Sequence, residues 1–325
     1  MTVLTEERPL CGARAYELLR QGGSGGIAGA YSGAVYLSLS DGLLMLFDRR
    51  RGSVPFGIGV SDYARLRPLF AEGTEVSLLA GEGEGGALTA RILTPSGELC
   101  LREVLPDARR SQKAVLPAPE RVREAASLLA ASSGGGFSPA VLPLLGKKPD
   151  PAFLSSRPYL ALALPRISAF FDALFCGEDG AALSAAAGKL IGLGQGLTPS
   201  GDDLFCGVLY CLNTCAPAAA AFADAARRLR EALLPLLPLT GAVSRAYLGA
   251  AMEDGYFEVT AGLADALTGG RDLPDALAAL LAVGASSGGD IAAGFLLAAE
   301  KLEKRKTPCF SEKKQAKDFL KRDNR

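Results

Sequence analysis

Residues 192–203 read GLGQGLTPSGDD, with a glycine at every second position, then a Thr-Pro-Ser turn and two adjacent carboxylates. Glycine lets a backbone approach a ligand closely, and a helix that starts behind such a loop presents N–H groups and about half a positive charge. Asp202 and Asp203 bring about two negative charges to the same helix start, so a bare phosphate meets net repulsion there. Two chemistries remain. The acids accept hydrogen bonds from an amide or ureido NH2 while loop amides hold a carbonyl oxygen, or a cation, supplied by Lys189, by Arg245 or as a Mg2+ ion held by Asp202, Asp203 and Asp290, stands between the acids and an anion.

Known phosphate loops do not fit the stretch. Leu197 stands where a dinucleotide fingerprint needs its third glycine, and Gly146-Lys147 and Gly188-Lys189 lack the flanking residues of a P-loop. An internal echo is more informative: Ser200-Gly-Asp-Asp203-Leu-Phe-Cys-Gly207 and Ser287-Gly-Gly-Asp290-Ile-Ala-Ala-Gly294 share Ser, Gly, Asp and Gly at the same offsets. Both segments open an apolar run. A capping box, with Ser at the N-cap and Asp at N3, accounts for Ser and Asp but leaves the upstream glycines unexplained. The competing expectation is that both helix starts frame one pocket. A third segment, Thr240-Gly-Ala-Val-Ser244-Arg245, places two hydroxyls one helical turn apart beside a cation. The candidate ligand contacts are therefore Gly194, Gly196, Thr198, Ser200, Gly201, Thr240, Ser244, Ser287 and Asp290. Asp202, Asp203 and Arg245 are the candidate catalytic groups, with Lys189 as a further source of positive charge.

The residues missing from the chain narrow the chemistry further. It has no histidine in 325 residues, which removes Ser-His and Cys-His nucleophiles and every His-ligated metal site. Seven scattered cysteines point to free thiols in a reducing compartment, and the Cys206, Cys211, Cys215 spacing fits no zinc knuckle. The opening residues show no secretory signal and no unbroken apolar run reaches about 18 residues, so a soluble cytoplasmic protein is expected. From Lys301 onward ten Lys or Arg face four acids, leaving an acidic body; basic residues interleaved with aromatics are absent from it, which argues against nucleic acid as a partner.

Two periodicities must position these residues. Six short apolar runs, 34–39, 43–48, 55–60, 75–79, 88–93 and 98–104, alternate with glycine-containing turns, and Ser40-Asp41-Gly42 makes the first pair a hairpin. A short helix is expected over 62–70. After a Pro-rich linker at 113–119 the period becomes helical: 120–131, 166–175, 216–234, 258–267 and 273–281 carry apolar residues at three- and four-residue intervals. The fold class predicted is α+β, a small β-rich barrel or sandwich over 1–115 followed by an all-helical domain over 116–303 and a basic tail over 304–325. The loop Gly52–Gly57 either faces the helices or is simply a turn, and turn chemistry explains it at least as well.

The G-L-G-x-G-L-T-P-S-G-D-D signature, the Thr-x3-Ser-Arg segment, the SSGGD echo and the β-rich start together resemble a bacterial family, the AllH subunits of oxamate carbamoyltransferase, over most of residues 10–300. That resemblance implies a multisubunit enzyme of allantoin and purine breakdown, which converts oxalurate and phosphate into oxamate and carbamoyl phosphate. It also implies AllF-type and AllG-type subunits as partners. The residues themselves make no cofactor certain and offer Mg2+ as the one candidate. Two rival expectations are a stand-alone Mg-dependent enzyme acting on a small phosphorylated or ureido metabolite, and a non-catalytic scaffold.

Overall fold

The computed structural model describes residues 2–107, 116–132, 135–148, 151–177, 179–255 and 257–305. Residues 113–115 of the expected linker, the basic tail beyond Arg305 and Cys309 lie outside the described residues. Nine strands form one curled half-barrel sheet in the first hundred residues, and helices follow from Pro119 onward.

The strands are β1 (Thr2–Glu7), β2 (Leu10–Cys11), β3 (Gly23–Ala30), β4 (Ala34–Leu39), β5 (Gly42–Asp48), β6 (Gly57–Val60), β7 (Glu75–Glu82), β8 (Leu88–Thr94) and β9 (Gly97–Val104). Their order in the sheet is β1-β9-β8-β7-β3-β4-β5-β6-β2. Among the described strands only the pairs β1/β9 and β5/β6 run parallel. The expected hairpin of β4 and β5 is present, but it closes with Leu39 opposite Gly42, so Ser40 and Asp41 fill the two-residue turn and Gly42 opens β5 instead of sitting in an Asp-Gly turn. Both strands are apolar on two faces. Val35, Leu37, Leu44 and Leu46 pack inside the half-barrel against Leu18 and Leu19 of α1 (Ala13–Gln21), while Ala34, Tyr36, Leu43, Met45 and Phe47 join the core of the helical half. The alternate residues of one strand thus feed two cores, which is why 43–47 is a continuous apolar run rather than an alternating one. The expected short helix is α2 (Tyr63–Leu66) with a 3-10 turn behind it.

The helical half comprises α3 (Pro119–Ala131), α4 (Val141–Leu144), α5 (Pro151–Ser155), α6 (Pro158–Phe175), α7 (Gly180–Ala187), α8 (Ser200–Cys215), α9 (Ala220–Leu233), α10 (Ala242–Met252), α11 (Glu258–Leu267), α12 (Leu273–Leu281) and α13 (Ser287–Arg305). At its centre α8 and α13 cross. A Cβ on Gly207 would stand 2.0 Å from the Ile291 carbonyl oxygen, and one on Gly294 would stand 2.1 Å from that of Leu204. Each glycine seats the other helix's backbone, so the echo seen in the sequence is a reciprocal helix–helix lock. Cys206, Cys211 and Cys215 are buried on α8 and form no disulfide. The helix α6 is the one described helix long and apolar enough to cross a membrane by length and composition. Its Ile167, Phe170, Phe171 and Leu174 are instead core residues, with the Phe170 and Phe205 rings 5.0 Å apart.

Candidate functional site: a sealed carboxyl pair at two helix starts

Gly192, Gly194 and Gly196 all adopt positive φ, at 70°, 133° and 94°, a conformation strained for any residue with a Cβ. This answers why the loop alternates glycine: the chain must coil tightly from α7 back to the start of α8. Asp202 holds the coil. One of its oxygens accepts from the Gly192 N–H at 2.8 Å and the other from the Thr240 hydroxyl. The Ser244 hydroxyl adds a contact to the Leu197 carbonyl at 3.4 Å. Thr240, Ser244 and Asp202 therefore brace the loop from behind. Pro199, not Ser200, is the N-cap of α8, and it makes no side-chain cap bond. The capping box is not what Ser200 and Asp203 form.

Asp203 is turned the other way. It is 2% exposed, lies within hydrogen-bonding reach of Thr198 and Ser287, and one of its oxygens, Oδ2, has no partner. The Thr198 and Ser287 hydroxyls meet at 2.9 Å, tying the first turn of α13 to the loop before α8. Asp290 of α13 is fully buried; its Oδ1 accepts from the Phe137 N–H at 2.5 Å and its Oδ2 is also unpartnered. Burial pushes the Asp290 carboxyl up to about 7, against the opposing pull of the Phe137 N–H and the nearby Ser200 and Ser286 hydroxyls. Burial pushes Asp203 well above the carboxylate range, and the neighbouring Asp290 adds to the rise. Among the described residues no Lys or Arg bonds either acid. The walls offer no charge relief, since burial also raises the Cys206 thiol and the Tyr210 phenol of α8 well above their ordinary values.

The sequence reading missed the far wall. Gly136, Phe137 and Ser138 wrap over Asp290, and a Cβ on Gly136 would stand 2.2 Å from its Oδ1. The buried Ser138 hydroxyl has no partner and occupies the space that a side chain at Gly289 would need. Tyr159 of α6 stacks on Phe137 at 5.6 Å and donates to the Leu193 carbonyl at 3.3 Å. A signal for this wall was present: Gly136-Phe-Ser-Pro139 repeats the pattern of Gly196-Leu-Thr-Pro199.

Some expected partners are not brought together. Arg245 is exposed and lines a separate cavity with Arg14 and Arg230, and Lys189 is exposed as well. Asp202 is spent on Gly192 and Thr240, so the three acids do not converge, and among the described residues no cluster of three or more metal-ligating side chains is found. The residues do not fit the expected Mg2+ ion. The loop Gly52–Gly57 does face the helices: the Ser53 N–H donates to Glu258 at 2.9 Å and the Phe56 ring meets Tyr247 at 4.8 Å.

Fold and site together define a two-part α+β protein whose helical half carries a sealed carboxyl pair where two glycine-locked helices begin. Residues 190–299 match the family model described as oxamate carbamoyltransferase subunit AllH, in agreement with the family expected from the sequence. The matched stretch contains the loop, α8, the Thr240 segment and α13 up to Ala299, and hence both members of the carboxyl pair. No curated protein and no solved structure matches the chain.

Proposed function

We propose that the chain is a subunit of a cytoplasmic carbamoyltransferase complex and that the carboxyl pair binds the carbamoyl end of a ureido substrate. The observation that supports this most is the pair itself, Asp203 and Asp290, each buried and each with an oxygen left unpartnered. With both carboxyls raised and one near 7, the pair holds a proton around neutral pH. A carbamoyl group presents one carbonyl acceptor and NH2 donors. A carboxylic acid beside a carboxylate presents the converse, one donor and several acceptors. Thr198, Ser200 and Ser287, which lie beside the acids, can each donate or accept, and the bare Gly194 lets the loop pack against the Ser200 N–H at the start of α8.

The chemistry that fits is the one implied by the family description: a phosphate oxygen attacks the ureido carbonyl carbon of oxalurate, and the bond from that carbon to the oxamate nitrogen breaks. The leaving nitrogen takes up a proton, completing oxamate's amide, while the carbamoyl group departs on phosphate. A carboxyl near 7 is suited to supply that proton and recover it. Both reactants are anions and, among the described residues, no Lys or Arg bonds the pair, so the positive charge comes from elsewhere. The word subunit in the family description supports partner chains as its source, and in our reading these are of AllF and AllG type. Reconstituting the complex with Asp203→Asn or Asp290→Asn tests the reading. Turnover is expected to fall by about a thousand-fold or more while the melting temperature stays level or rises. Turnover near the wild-type rate would remove the pair from the chemistry.

A further inference from the structure

A second site is built from different residues. Between the β4–β5 hairpin, α1, α9 and α10 lies an open cavity of about 590 Å3 that includes none of the loop 192–203 and neither Asp203 nor Asp290. Three arginines line it, one from each of three helices: Arg14 of α1, Arg230 of α9 and Arg245 of α10. The sole acid in its lining is Glu253, which pairs with Arg14 at 3.2 Å. Arg245 is exposed and has no ion pair among the described residues. Arg230 is half-buried and anchored through the Asn213 side-chain oxygen; Asn213 is in turn fixed to the Ala251 carbonyl at 2.9 Å. Its Nε is buried without an acceptor, and although Asp254 lies within electrostatic reach, it forms no ion pair with Arg230. The lining groups thus carry a net charge of plus two on a body that is otherwise acidic. The rest of the wall is largely apolar and includes Phe56 and Leu237.

We propose that this cavity is a binding site for a small organic dianion, a dicarboxylate or a phosphate monoester with a short apolar portion. Two unneutralised guanidinium groups match two negative charges, and their planar forks suit carboxylate and phosphate oxygens alike. The apolar wall disfavours a bare ion, because a ligand that covers Phe56 and Leu237 also removes apolar surface from water. Its position gives the site a consequence. The ligand would touch α1 and the hairpin on one side and α9 and α10 on the other, bridging the half-barrel and the helical half. It would also sit one residue from Ser244, which braces the glycine loop. The proposal does not depend on the role given to the carboxyl pair.

Calorimetric titration of the full chain with succinate, phenyl phosphate, inorganic phosphate and propionamide tests it. Succinate or phenyl phosphate should bind, the two arms telling carboxylate from phosphate ester; inorganic phosphate should bind more weakly and neutral propionamide not at all. Arg245→Gln should weaken the bound dianion about ten-fold or more, and the melting temperature without ligand should be unchanged, since Arg245 holds no other group. Arg14→Gln should weaken it less, because Glu253 already shares that charge. Asp203→Asn should leave the affinity as it is. The site is refuted if neither dianion binds at millimolar concentration, if Arg245→Gln binds as the wild type does, or if Asp203→Asn abolishes binding.

Discussion

The starts of α8 and α13 carry the same Ser, Gly, Asp and Gly, and they differ most tellingly at one position, Asp202 in the first against Gly289 in the second. What they share does the same work in both. Gly201 and Gly288 each press against the carbonyl of a preceding segment, with a Cβ there only 1.9 Å from Leu190 O or 1.8 Å from Leu280 O. Gly207 and Gly294 seat each other's helix, and Asp203 and Asp290 end up close enough to raise each other's charge cost. Where they differ, the work differs. Asp202 is bonded on both oxygens and fastens the glycine loop to Thr240, whereas the bare Gly289 leaves room for the unpartnered Ser138 hydroxyl. Acids adjacent in sequence thus have opposite fates. One is satisfied and structural, the other is sealed with an oxygen unspent.

The lock should be equally intolerant on both sides. Gly207→Ala and Gly294→Ala each put a methyl against backbone that cannot swing aside, so each should cost about 3 kcal/mol or more, read as lost soluble protein or a lower denaturation midpoint. A loss at one position only would break the reciprocity. The two adjacent acids should then separate cleanly. Asp202→Ala leaves the Gly192 N–H and the Thr240 hydroxyl without an acceptor and should cost about 2–4 kcal/mol by chemical denaturation. Asp203→Asn removes a charge that burial disfavours, and its hydroxyl partners can reverse their bonds, so its melting temperature should not fall. A drop as large as that of Asp202→Ala would make Asp203 structural after all.

Much of this arrangement was legible from spacing, and the remainder depended on packing. The hairpin of β4 and β5 could be read because Asp41-Gly42 and the apolar runs beside it are local signals. In contrast β3, GSGGIAGA, has almost no side-chain pattern. It is a strand because β4 and β7 pair with it on both sides, and Gly25 lets Ser38 O come within 2.0 Å of where a Cβ would be. The edge strand β1 pairs with β9, about as far away as the half-barrel allows, and no local pattern announces such a partner. In the site, the loop and both Ser-x-x-Asp starts stood out, yet Phe137 reached Asp290 only through a contact spanning 153 residues. Arg245 was grouped with Thr240 and Ser244 by proximity in sequence. Consecutive helical residues point about 100° apart, so Ser244 faces the loop while Arg245 lines the other cavity.

The charge state of the pair sharpens the contrast further. An aspartate in the unfolded chain titrates near 4, but Asp290 in the folded protein does so at about 7. Between those values the folded state binds the additional proton, so this group's stabilisation is complete below about pH 4 and is lost as pH rises through 7. Asp203, raised likewise, acts in the same direction. Asp48 and Glu98, held down to about 2 chiefly by the Arg50 and Arg91 guanidinium groups, titrate in a separate acidic window. The melting temperature should therefore rise on going from pH 8 to pH 5, and Asp290→Asn should flatten that slope. A wild-type profile that is level over this range would mean that water or a ligand already relieves the pair.

The smallest effect tests the seam where the two helix starts join. The Thr198 and Ser287 hydroxyls bond to each other at 2.9 Å, and both are half-buried, so losing either should cost only about 0.5–1.5 kcal/mol. Thr198→Val preserves the shape of the side chain and Ser287→Ala shortens it. If the bond between them is what couples α8 to α13, the double variant should cost less than the sum of the single ones, by an amount measurable in a denaturation cycle. Strict additivity would mean that each hydroxyl serves Asp203 separately, and that the glycine lock alone holds the two helix starts together.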